Sequence, residues 1–593
     1  MADEGAPLAG MRGNLTNYGD AEFALFLRKA FIKGAGYTDD ALERTVVGIV
    51  NTGSGFNPCH GNMPQLIEAV KRGIMLAGGL PVEFPTISLH ESFSYPTSMF
   101  LRNLMSMDTE EMIRALPVDA VVLIGGCDKT VPAQLMGAAS AGKPAIQLVT
   151  GSMLTGAHRG RRVGACTDCR AFWGSYRGGE IDGAEISEAN GNLVGSVGTC
   201  SVAGTASTMA CLAEAAGIAL PGSATPPAVT ADRMRTAELT GRRAMEMAEE
   251  GLTVDRILTE EAFENALRVL LAVGGSTNAI VHLAAIAGRL GIAVDLDRFD
   301  EMSRQTPVLV DLKPVGDHYM EDLHKAGGVP RLLHELRDLL NLDALTVTGR
   351  TLGQELDLAQ PPFPQSVIRP RTEPVHPVGG IAVLRGNLAP NGAIIKQAAA
   401  SQDLLEHRGR AVVFEDSADL ATRIDDEDLD VAPDDVLVLK NIGPVGAPGM
   451  PEAGYIPLPK KLARQGVKDM VRVSDGRMSG TAAGTIVLHV SPEAAVGGAL
   501  RYVRTGDVVR LSVSERALEL EVPDEELRRR AEAAPAVAGE TSGRGYRKLY
   551  VEQVTQAEEG CDFRFLQAES ERGSVPRPQW DRRPAVHGEQ QRG

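Results

Sequence analysis

Short apolar runs alternate with amphipathic segments along the first half of the chain. The runs of strand length lie at residues 45–50, 81–88, 120–124 and 144–150. After the first of them, apolar residues recur at helical spacing from Leu66 to Ile74, and Gly78 and Gly79 then end the pattern. Strands that alternate with helices in this way are typical of a parallel sheet covered by helices.

Other stretches of this half predict helices and a loop. A capping pattern predicts a helix that begins at Thr109, and periodicity predicts helices at about 226–250 and 260–272. Residues 200–211 are rich in small side chains and predict a closely packed helix. Residues 151–198 are rich in glycine and polar side chains, so we expect a long loop region there.

The pattern changes after a proline-rich stretch, residues 361–377, which has the composition of a linker. Short strands with glycine-rich connections follow at 380–385, 410–414, 436–439, 470–473, 485–489 and 508–513. We therefore predict an α/β protein of two domains. Residues 1–377 form an α/β/α domain with a parallel sheet, an N-terminal arm and the linker, and residues 378–568 form a β-rich, barrel-like domain. Residues 569–593 are a polar tail.

Composition narrows the possible functions. The 593 residues are 43% hydrophobic and 23% charged, which is typical of a globular protein. The net charge of −17 argues against nucleic-acid binding, which depends on clustered Lys and Arg. The N-terminus does not resemble a signal peptide, and no apolar run is long enough to span a membrane. We expect a cytoplasmic protein, in which seven cysteines serve catalysis, metal binding or burial instead of disulfides.

The ends of three predicted strands carry reactive side chains. Cys127, Asp128 and Lys129 follow the strand at 120–124, whereas Cys59 and Glu91 follow two others. Because ligands of parallel sheets bind at the carboxyl ends of the strands, we expect these groups to converge. The alternative is ordinary, since a cysteine after a strand is often core and an Asp-Lys pair is often a surface ion pair.

The cysteines and acids suit two different metals. Cys59, Cys127 and Cys200 are flanked by glycine and polar residues, and three thiolates can hold an iron–sulfur cluster that keeps one coordination position open. Carboxylates such as those of Glu91, Asp128 and Glu452 suit magnesium. Cys166 and Cys169 have redox or metal spacing without a second ligand pair nearby in sequence, so their role stays open.

Six motifs resemble those of the dihydroxy-acid and sugar-acid dehydratases. They are PCHGN at 58–62, GCDKT at 126–130, GTC at 198–200, GGSTN at 274–278, LRGNLAP at 384–390 and SDGRMSG at 474–480. The resemblance implies dehydration of a 2,3-dihydroxy carboxylic acid to a 2-keto-3-deoxy acid with an iron–sulfur cluster and magnesium. We expect a 2Fe–2S cluster in preference to 4Fe–4S.

The resemblance also implies particular roles for residues. It implies that Cys59, Cys127 and Cys200 ligate the cluster. Magnesium ligation falls to Glu91, Asp128, Glu452 and Lys129, the last as a carbamate that also makes Lys129 part of the catalytic centre. Ser479 matches the position of the catalytic base, and the residues expected near the substrate are Thr481, Ser201 and His90.

Substrate and assembly are expectations of the same kind. Thr130, Ala133 and Glu91 look like the sugar-acid branch of the family, such as the L-arabinonate and D-xylonate dehydratases. The alternatives are a dihydroxy-acid dehydratase of branched-chain amino-acid biosynthesis and, in another class, a non-catalytic iron–sulfur protein of regulation or electron transfer. We expect a homodimer or homotetramer.

Overall fold

A computed structural model describes residues 9–15, 17–535 and 543–568. Its strands are β1 Val46–Asn51, β2 Leu80–Pro85, β3 Ala120–Gly125, β4 Ala145–Val149, β5 Gly156–His158, β6 Arg161–Val163, β7 Ala382–Leu384, β8 Gly392–Ile395, β9 Glu406–Phe414, β10 Val436–Leu439, β11 Arg472–Ser474, β12 Ile486–Ser491, β13 Val508–Ser512 and β14 Ala517–Leu520. The predicted polar tail, 569–593, lies outside the described residues.

The helices of the described residues are α1 Ala21–Lys33, α2 Asp39–Leu42, α3 Met63–Leu76, α4 Ser98–Ala115, α5 Thr130–Ala141, α6 Thr167–Gly178, α7 Gly183–Asn192, α8 Thr205–Ala215, α9 Ala231–Glu250, α10 Val254–Ile257, α11 Glu260–Ala272, α12 Asn278–Gly288, α13 Leu296–Gln305, α14 Met320–Lys325, α15 Gly328–Glu335, α16 Leu352–Leu358, α17 Ser417–Arg423, α18 Lys460–Arg464, α19 Asp524–Ala533 and α20 Gly545–Gln553. Each of these helices is too short or too polar to cross a membrane.

A parallel sheet organises the N-terminal region. Its order is β2-β1-β3-β4, and every neighbouring pair of strands is parallel. Strand β3 reads AVVLIG and is buried at every position, as expected of a central strand that is covered on both faces. Helix α3 packs against α9 and α4 against α5, and both pairs contact the sheet. The predicted α/β class is confirmed.

The C-terminal region is a barrel of eight strands. Their order is β14-β13-β9-β10-β11-β12-β8-β7, with β9 to β12 parallel and the outer strands antiparallel. A bridge between Arg385, just after β7, and Ala517 of β14 joins the two ends of this sheet. Alternate apolar side chains such as Val436, Val438 and Val473 fill the interior. The predicted β-rich, barrel-like fold is therefore confirmed.

Three local predictions were wrong. Residues 109–116 are the end of α4, which begins at Ser98 after the N-cap Thr97. The predicted loop at 151–198 contains the β5–β6 hairpin and the helices α6 and α7. Helix α6 was missed because it lies in a glycine-rich, polar stretch, although Cys169, Phe172, Trp173 and Tyr176 recur in it at helical spacing. Strands β8 and β14 were not predicted; β14 reads ALEL, and Ala, Leu and Glu are all helix-favouring residues.

The two regions are joined by buried polar contacts. The guanidinium of Arg102 on α4 donates to the carbonyls of Gly560 (2.8 Å) and Cys561 (2.9 Å). Arg289 after α12 pairs with Asp562 at 2.5 Å, and both side chains are fully buried. The C-terminal segment after α20 thus returns to the α/β region, and this fixes the barrel against the edge where the strands of the parallel sheet end.

Candidate active site

Two sets of side chains meet at this edge. We call Cys59, Cys127, Cys166, Cys169 and Cys200, together with His90, the thiol half. We call Glu91, Asp128 and Glu452, together with Lys129 and Arg477, the carboxylate half. The halves touch where Cys127 Sγ lies 3.6 Å from Asp128 Oδ1.

Cys59 and Cys127 are supplied by the ends of neighbouring strands. Cys59 lies in the short turn Pro58–His60 after β1, and Cys127 follows β3 directly. Their sulfurs and a ring nitrogen of His90 lie within 4.8 Å of one another. The hydrogen bond with Cys127, followed by burial, raises the pKa of Cys59 well above its usual value. Such a thiol ionises only when a cation compensates its charge.

His60, which the sequence reading did not single out, holds this geometry. Its Nε2 accepts from the backbone N–H groups of Gly126 (2.9 Å) and Cys127 (3.1 Å), while Nδ1 lies 2.8 Å from the Thr52 carbonyl. This pattern requires a neutral ring, and burial lowers the pKa of His60 to about 4. Gly126 allows the approach, because a Cβ there would collide with the Thr150 hydroxyl.

Cys200 lies in a second set of thiols. Its sulfur is 3.2 Å from that of Cys166, the N-cap of α6, and Cys169 lies one turn further along the same helix. Hydrogen bonds from Cys169 and Cys200 lower the pKa of Cys166 to about 3. The same bonds and burial raise the pKa values of Cys169 and Cys200. The structure thus places the CxxC pair, whose role was open, against a predicted cluster ligand.

The carboxylate half brings together acids from both regions of the chain. Glu91 follows β2, Asp128 follows β3, and Glu452 begins the turn Glu452–Tyr455 between β10 and β11 of the barrel. One oxygen from each lies within 4.8 Å of the other two. Three converging carboxylates are the oxygen-rich set that a hard cation such as Mg²⁺ requires.

Two buried cations hold these acids in place. Arg477 donates to Glu452 Oε1 at 2.7 Å and to Glu91 Oε1 at 3.3 Å. Lys129 Nζ lies 3.5 Å from Glu91 Oε2 and also contacts Asp128. Burial opposes ionisation of Glu91, but the charges of Arg477 and Lys129 outweigh it and lower its pKa. Burial raises the pKa of Glu452.

Ser479 lies in the loop that follows Arg477. Its Oγ is 2.9 Å from Thr481 Oγ1 and accepts from the backbone N–H of Thr481 at 3.4 Å. The carbonyl of Gly480 accepts from Lys396 Nζ at 3.1 Å. Lys396 is fully buried, and burial lowers its pKa to about 7. Thr167 of α6 donates to the Thr481 carbonyl at 3.0 Å, which ties this loop to the thiol half.

The chain matches a family of dehydratases along most of its length. Residues 44–355 match the family model described as dihydroxy-acid/6-phosphogluconate dehydratase N-terminal, and residues 366–561 match the corresponding C-terminal model. The chain belongs to this dehydratase family. It is therefore a hydro-lyase, and the family predicted from its motifs is confirmed.

Named relatives include both branches of the family. An L-arabonate dehydratase of Azospirillum brasilense is 50% identical over 550 residues, 91% of this chain and 94% of its own. A 6-deoxy-6-sulfo-D-gluconate dehydratase of Pseudomonas putida is 44% identical over 544 residues, which cover 91% and 93% of the two chains. A dihydroxy-acid dehydratase of Acetivibrio thermocellus is 39% identical over 543 residues, 90% and 96% of the two chains.

Some of the predicted site residues lie in direct contact with one another, and others are linked to them through neighbouring elements. The structure brings together the three acids, Lys129, Cys59, Cys127 and His90, and it ties Ser479, Thr481 and Cys200 to them through α6 and the loop at 474–480. Ser201 is buried, and its hydroxyl donates to the Ala165 carbonyl at 3.3 Å. The residues that the sequence reading left without a role are His60, Cys166, Lys396 and Arg477. Arg477 lies inside the motif at 474–480, which was the available signal.

Proposed function

We propose that this dehydratase converts a sugar acid, a pentonate such as L-arabinonate, to the 2-keto-3-deoxy acid. The observation that carries the proposal is that the thiol half, the carboxylate half and Ser479 adjoin one another. The two relatives named for sugar acids are 50% and 44% identical to this chain, and the dihydroxy-acid dehydratase is 39% identical. The sugar-acid branch is thus favoured over the branched-chain alternative.

The donor sets fit the two cofactors that we expect. Cys59, Cys127 and Cys200 offer the sulfur ligands that iron–sulfur clusters take, and we expect a 2Fe–2S cluster. Glu91, Asp128 and Glu452 offer the oxygen ligands of Mg²⁺. When bound, the two groups supply Lewis acidity at the leaving 3-hydroxyl and at the carboxylate with its 2-hydroxyl, where negative charge develops.

Lys129 fits this centre better as a carbamate than as a free amine. Its Nζ is fully buried between Asp128 and Glu91. A protonated amine there would repel a dication, whereas a carbamate is anionic and adds oxygen ligands. We therefore place Lys129 in the catalytic centre in its carbamylated form.

Ser479 acts as the base that removes the proton from C2. A serine hydroxyl is a weak base, so its alkoxide needs donors and positive charge nearby. The N–H of Thr481 donates to Ser479 Oγ, and the hydroxyl of Thr481 is also within reach. Lys396 holds the carbonyl of the same Gly480–Thr481 peptide and, when protonated, favours a negative charge on Ser479 through it. Ser479 keeps the proton until it is returned to solvent or to the leaving hydroxyl.

We assign the substrate contacts to residues that lie close to Ser479 and to the cysteines of the thiol half. Thr481 and His90 offer polar groups to the substrate, and Ser201 positions the peptide that precedes Cys166. Arg170 on α6 lies within 3.4 Å of Thr481 Oγ1 and supplies a positive charge for a carboxylate. The loop that carries Ser479 comes from the barrel, so a productive site needs both regions.

The test is keto-acid formation by protein purified without oxygen and supplied with Mg²⁺. The substrates are L-arabinonate, D-xylonate, hexonates, 6-phosphogluconate and 2,3-dihydroxyisovalerate. We expect the highest kcat/KM with a non-phosphorylated sugar acid and a loss of turnover in Glu452→Gln. Preference for dihydroxyisovalerate would favour the branched-chain alternative. An intact cluster without turnover of any substrate would favour the non-catalytic iron–sulfur protein.

We also propose that the enzyme is a homodimer or homotetramer. Helix α1 presents Phe26 (66% exposed) and Phe31 (78% exposed), and Tyr95 near the site is 93% exposed. Aromatic side chains are enriched at protein interfaces. Light scattering of wild type and of the double variant Phe26→Ser, Phe31→Ser should show a smaller assembly for the variant. A monomeric wild type would contradict this.

A further inference from the structure

Four thiols of the thiol half form two close pairs. Cys59 and Cys127 lie together, with their sulfurs within 4.8 Å. Cys200 lies instead beside Cys166, with 3.2 Å between the sulfurs. The charge of Cys200 also contributes to the raised pKa of Cys59, so the two pairs lie near each other. Two of the three cysteines predicted as ligands make a pair, and the third has a partner to which the sequence reading gave no role.

We propose that Cys166 is the fourth thiol ligand of the cluster in the substrate-free enzyme. The inference rests on the proposed function, because it assumes that the thiol half holds an iron–sulfur cluster. A 2Fe–2S cluster takes four cysteines, two on each iron, when it is fully ligated. Two pairs of thiols match that requirement, and Cys169 is left outside it.

The fold builds the pair of Cys166 and Cys200. Their neighbours in the chain are joined, since the carbonyl of Ala165 accepts from the backbone N–H of Ser201 at 3.2 Å and from its hydroxyl at 3.3 Å. On the other side, Thr167 donates to the Thr481 carbonyl. The residues before and after Cys166 are thus both fixed by hydrogen bonds, so its position next to Cys200 does not depend on a flexible loop.

A fourth ligand has a consequence for the reaction. The proposed chemistry needs one open coordination position for the leaving 3-hydroxyl, and Cys166 occupies that position before substrate arrives. On substrate binding, the bond between Cys166 and iron would break as the oxygen of the 3-hydroxyl coordinates, and the freed thiolate would take a proton from solvent; without substrate, the thiolate would keep water and oxygen from this position. Cys169, one turn further along α6, is the matched residue for a test, because both cysteines are partly exposed.

The first part of the test uses wild-type protein. Apoprotein and protein reconstituted with ferrous iron and sulfide are alkylated anaerobically with iodoacetamide, and each cysteine is read by peptide mass spectrometry. We expect cluster loading to slow alkylation of Cys166 at least about tenfold, as expected for loss of the free thiolate, and to leave Cys169 reactive. Equal reactivity of Cys166 with and without cluster would overturn the inference.

The second part separates ligation from shielding. Cys166→Ser and Cys169→Ser are reconstituted in the same way, and their visible spectra, and their electron paramagnetic resonance spectra after reduction with dithionite, are compared with wild type. We expect Cys169→Ser, whose hydroxyl can still donate a hydrogen bond to Cys166, to match wild type, and Cys166→Ser to show shifted bands and altered g values. Protection of Cys166 without a spectral change in Cys166→Ser would mean shielding only and would contradict the proposal.

The same experiment distinguishes failure of this inference from failure of the proposed function. A wild-type protein that takes up no iron and sulfide would refute the cluster itself, and the inference would fall with it. A wild-type protein that takes up the cluster while Cys166 stays reactive would refute only the fourth ligand. Circular dichroism of the two variants shows whether both fold, and the alkylation result on wild type decides the question if one does not.

Discussion

The thiol half and the carboxylate half are assembled in different ways. The cysteines and His90 of the thiol half all come from residues 59–200, at or near the edge of one parallel sheet. The carboxylate half takes Glu91, Asp128 and Lys129 from that edge, but Glu452 and Arg477 from the barrel. One half can therefore form within a single region, whereas the other exists only when two regions are in contact.

The halves also differ in how their charge is balanced. Before Lys129 is carbamylated, the three carboxylates of the carboxylate half surround two buried cations, Lys129 and Arg477, so this half is held together before any metal binds. In the thiol half, the pKa values of Cys59 and Cys200 are raised, and these thiols ionise when a metal compensates their charge. We infer that a change in the thiol half affects cofactor content, whereas a change in the carboxylate half affects stability and turnover.

The largest expected effect is in the thiol half. Cys59→Ser should lose most of its cluster, because even loss of a supporting partner costs a metal site about 10–100-fold in affinity. Cys211→Ser is the matched control, since Cys211 is equally buried but lies within helix α8. Iron and sulfide per chain after anaerobic reconstitution measure the difference. Similar losses in both variants would show that burial, not ligation, governs cluster content.

The carboxylate half should respond through stability. In Arg477→Met two partly buried carboxylates lose their shared, fully buried partner; breaking a fully buried pair costs about 3–5 kcal/mol, which is the upper limit here. Urea unfolding of apoprotein in EDTA measures this, and added Mg²⁺ should recover part of the loss by binding the freed carboxylates. The control Arg464→Met breaks an exposed pair with Glu427, which is worth less than about 1 kcal/mol. Equal destabilisation in both variants would contradict the account.

A smaller effect should appear as pH dependence. Burial, followed by the charge of Arg477, lowers the pKa of His489 to about 3, so the folded protein holds this ring neutral. The unfolded chain binds a proton below about pH 6.5, and stability is therefore lost as the pH falls from 6.5 towards 3. At pH 5 the loss amounts to about 2 kcal/mol.

Replacement of His489 should remove this loss. His489→Asn tolerates the positive φ of 55° at this position. The free energy of unfolding of wild type should therefore fall relative to that of the variant between pH 7 and pH 5. His334→Asn, a change on the exposed side of α15, is the control and should run parallel to wild type. A difference between wild type and His489→Asn that is independent of pH would refute the assignment.

Site residues at the ends of the parallel strands were easier to predict from the sequence than those supplied by the barrel. Cys59, Cys127, Glu91 and Asp128 were predictable because each follows an apolar run, and the ends of parallel strands meet. Glu452 and Ser479 were predictable only by resemblance to a family, since nothing local links the barrel to the sheet. The contacts of Arg477 and the pairing of Cys166 with Cys200 join residues that are distant in the chain, and periodicity carries no information on them.

The fold shows the same limit. Strands β1, β3 and β10 are continuous apolar runs, and their positions were predicted within one residue. Helix α6 was not predicted, and it contacts the barrel through the polar side chains of Thr167, Arg170 and Arg177, which hydrophobic periodicity does not reveal. The helix that was missed is thus the one that ties the Ser479 loop to the thiol half.

The most direct test of the central claim is turnover of a sugar acid by Ser479→Ala with its cluster retained. The control is Ser491→Ala, because Ser491 Oγ has no hydrogen-bond partner among the described residues. We expect iron and sulfide content unchanged in both variants and kcat lowered by about 10²–10⁴ only in Ser479→Ala, the range for loss of a general base. A Ser479→Ala enzyme that keeps wild-type turnover would contradict the assignment of the base.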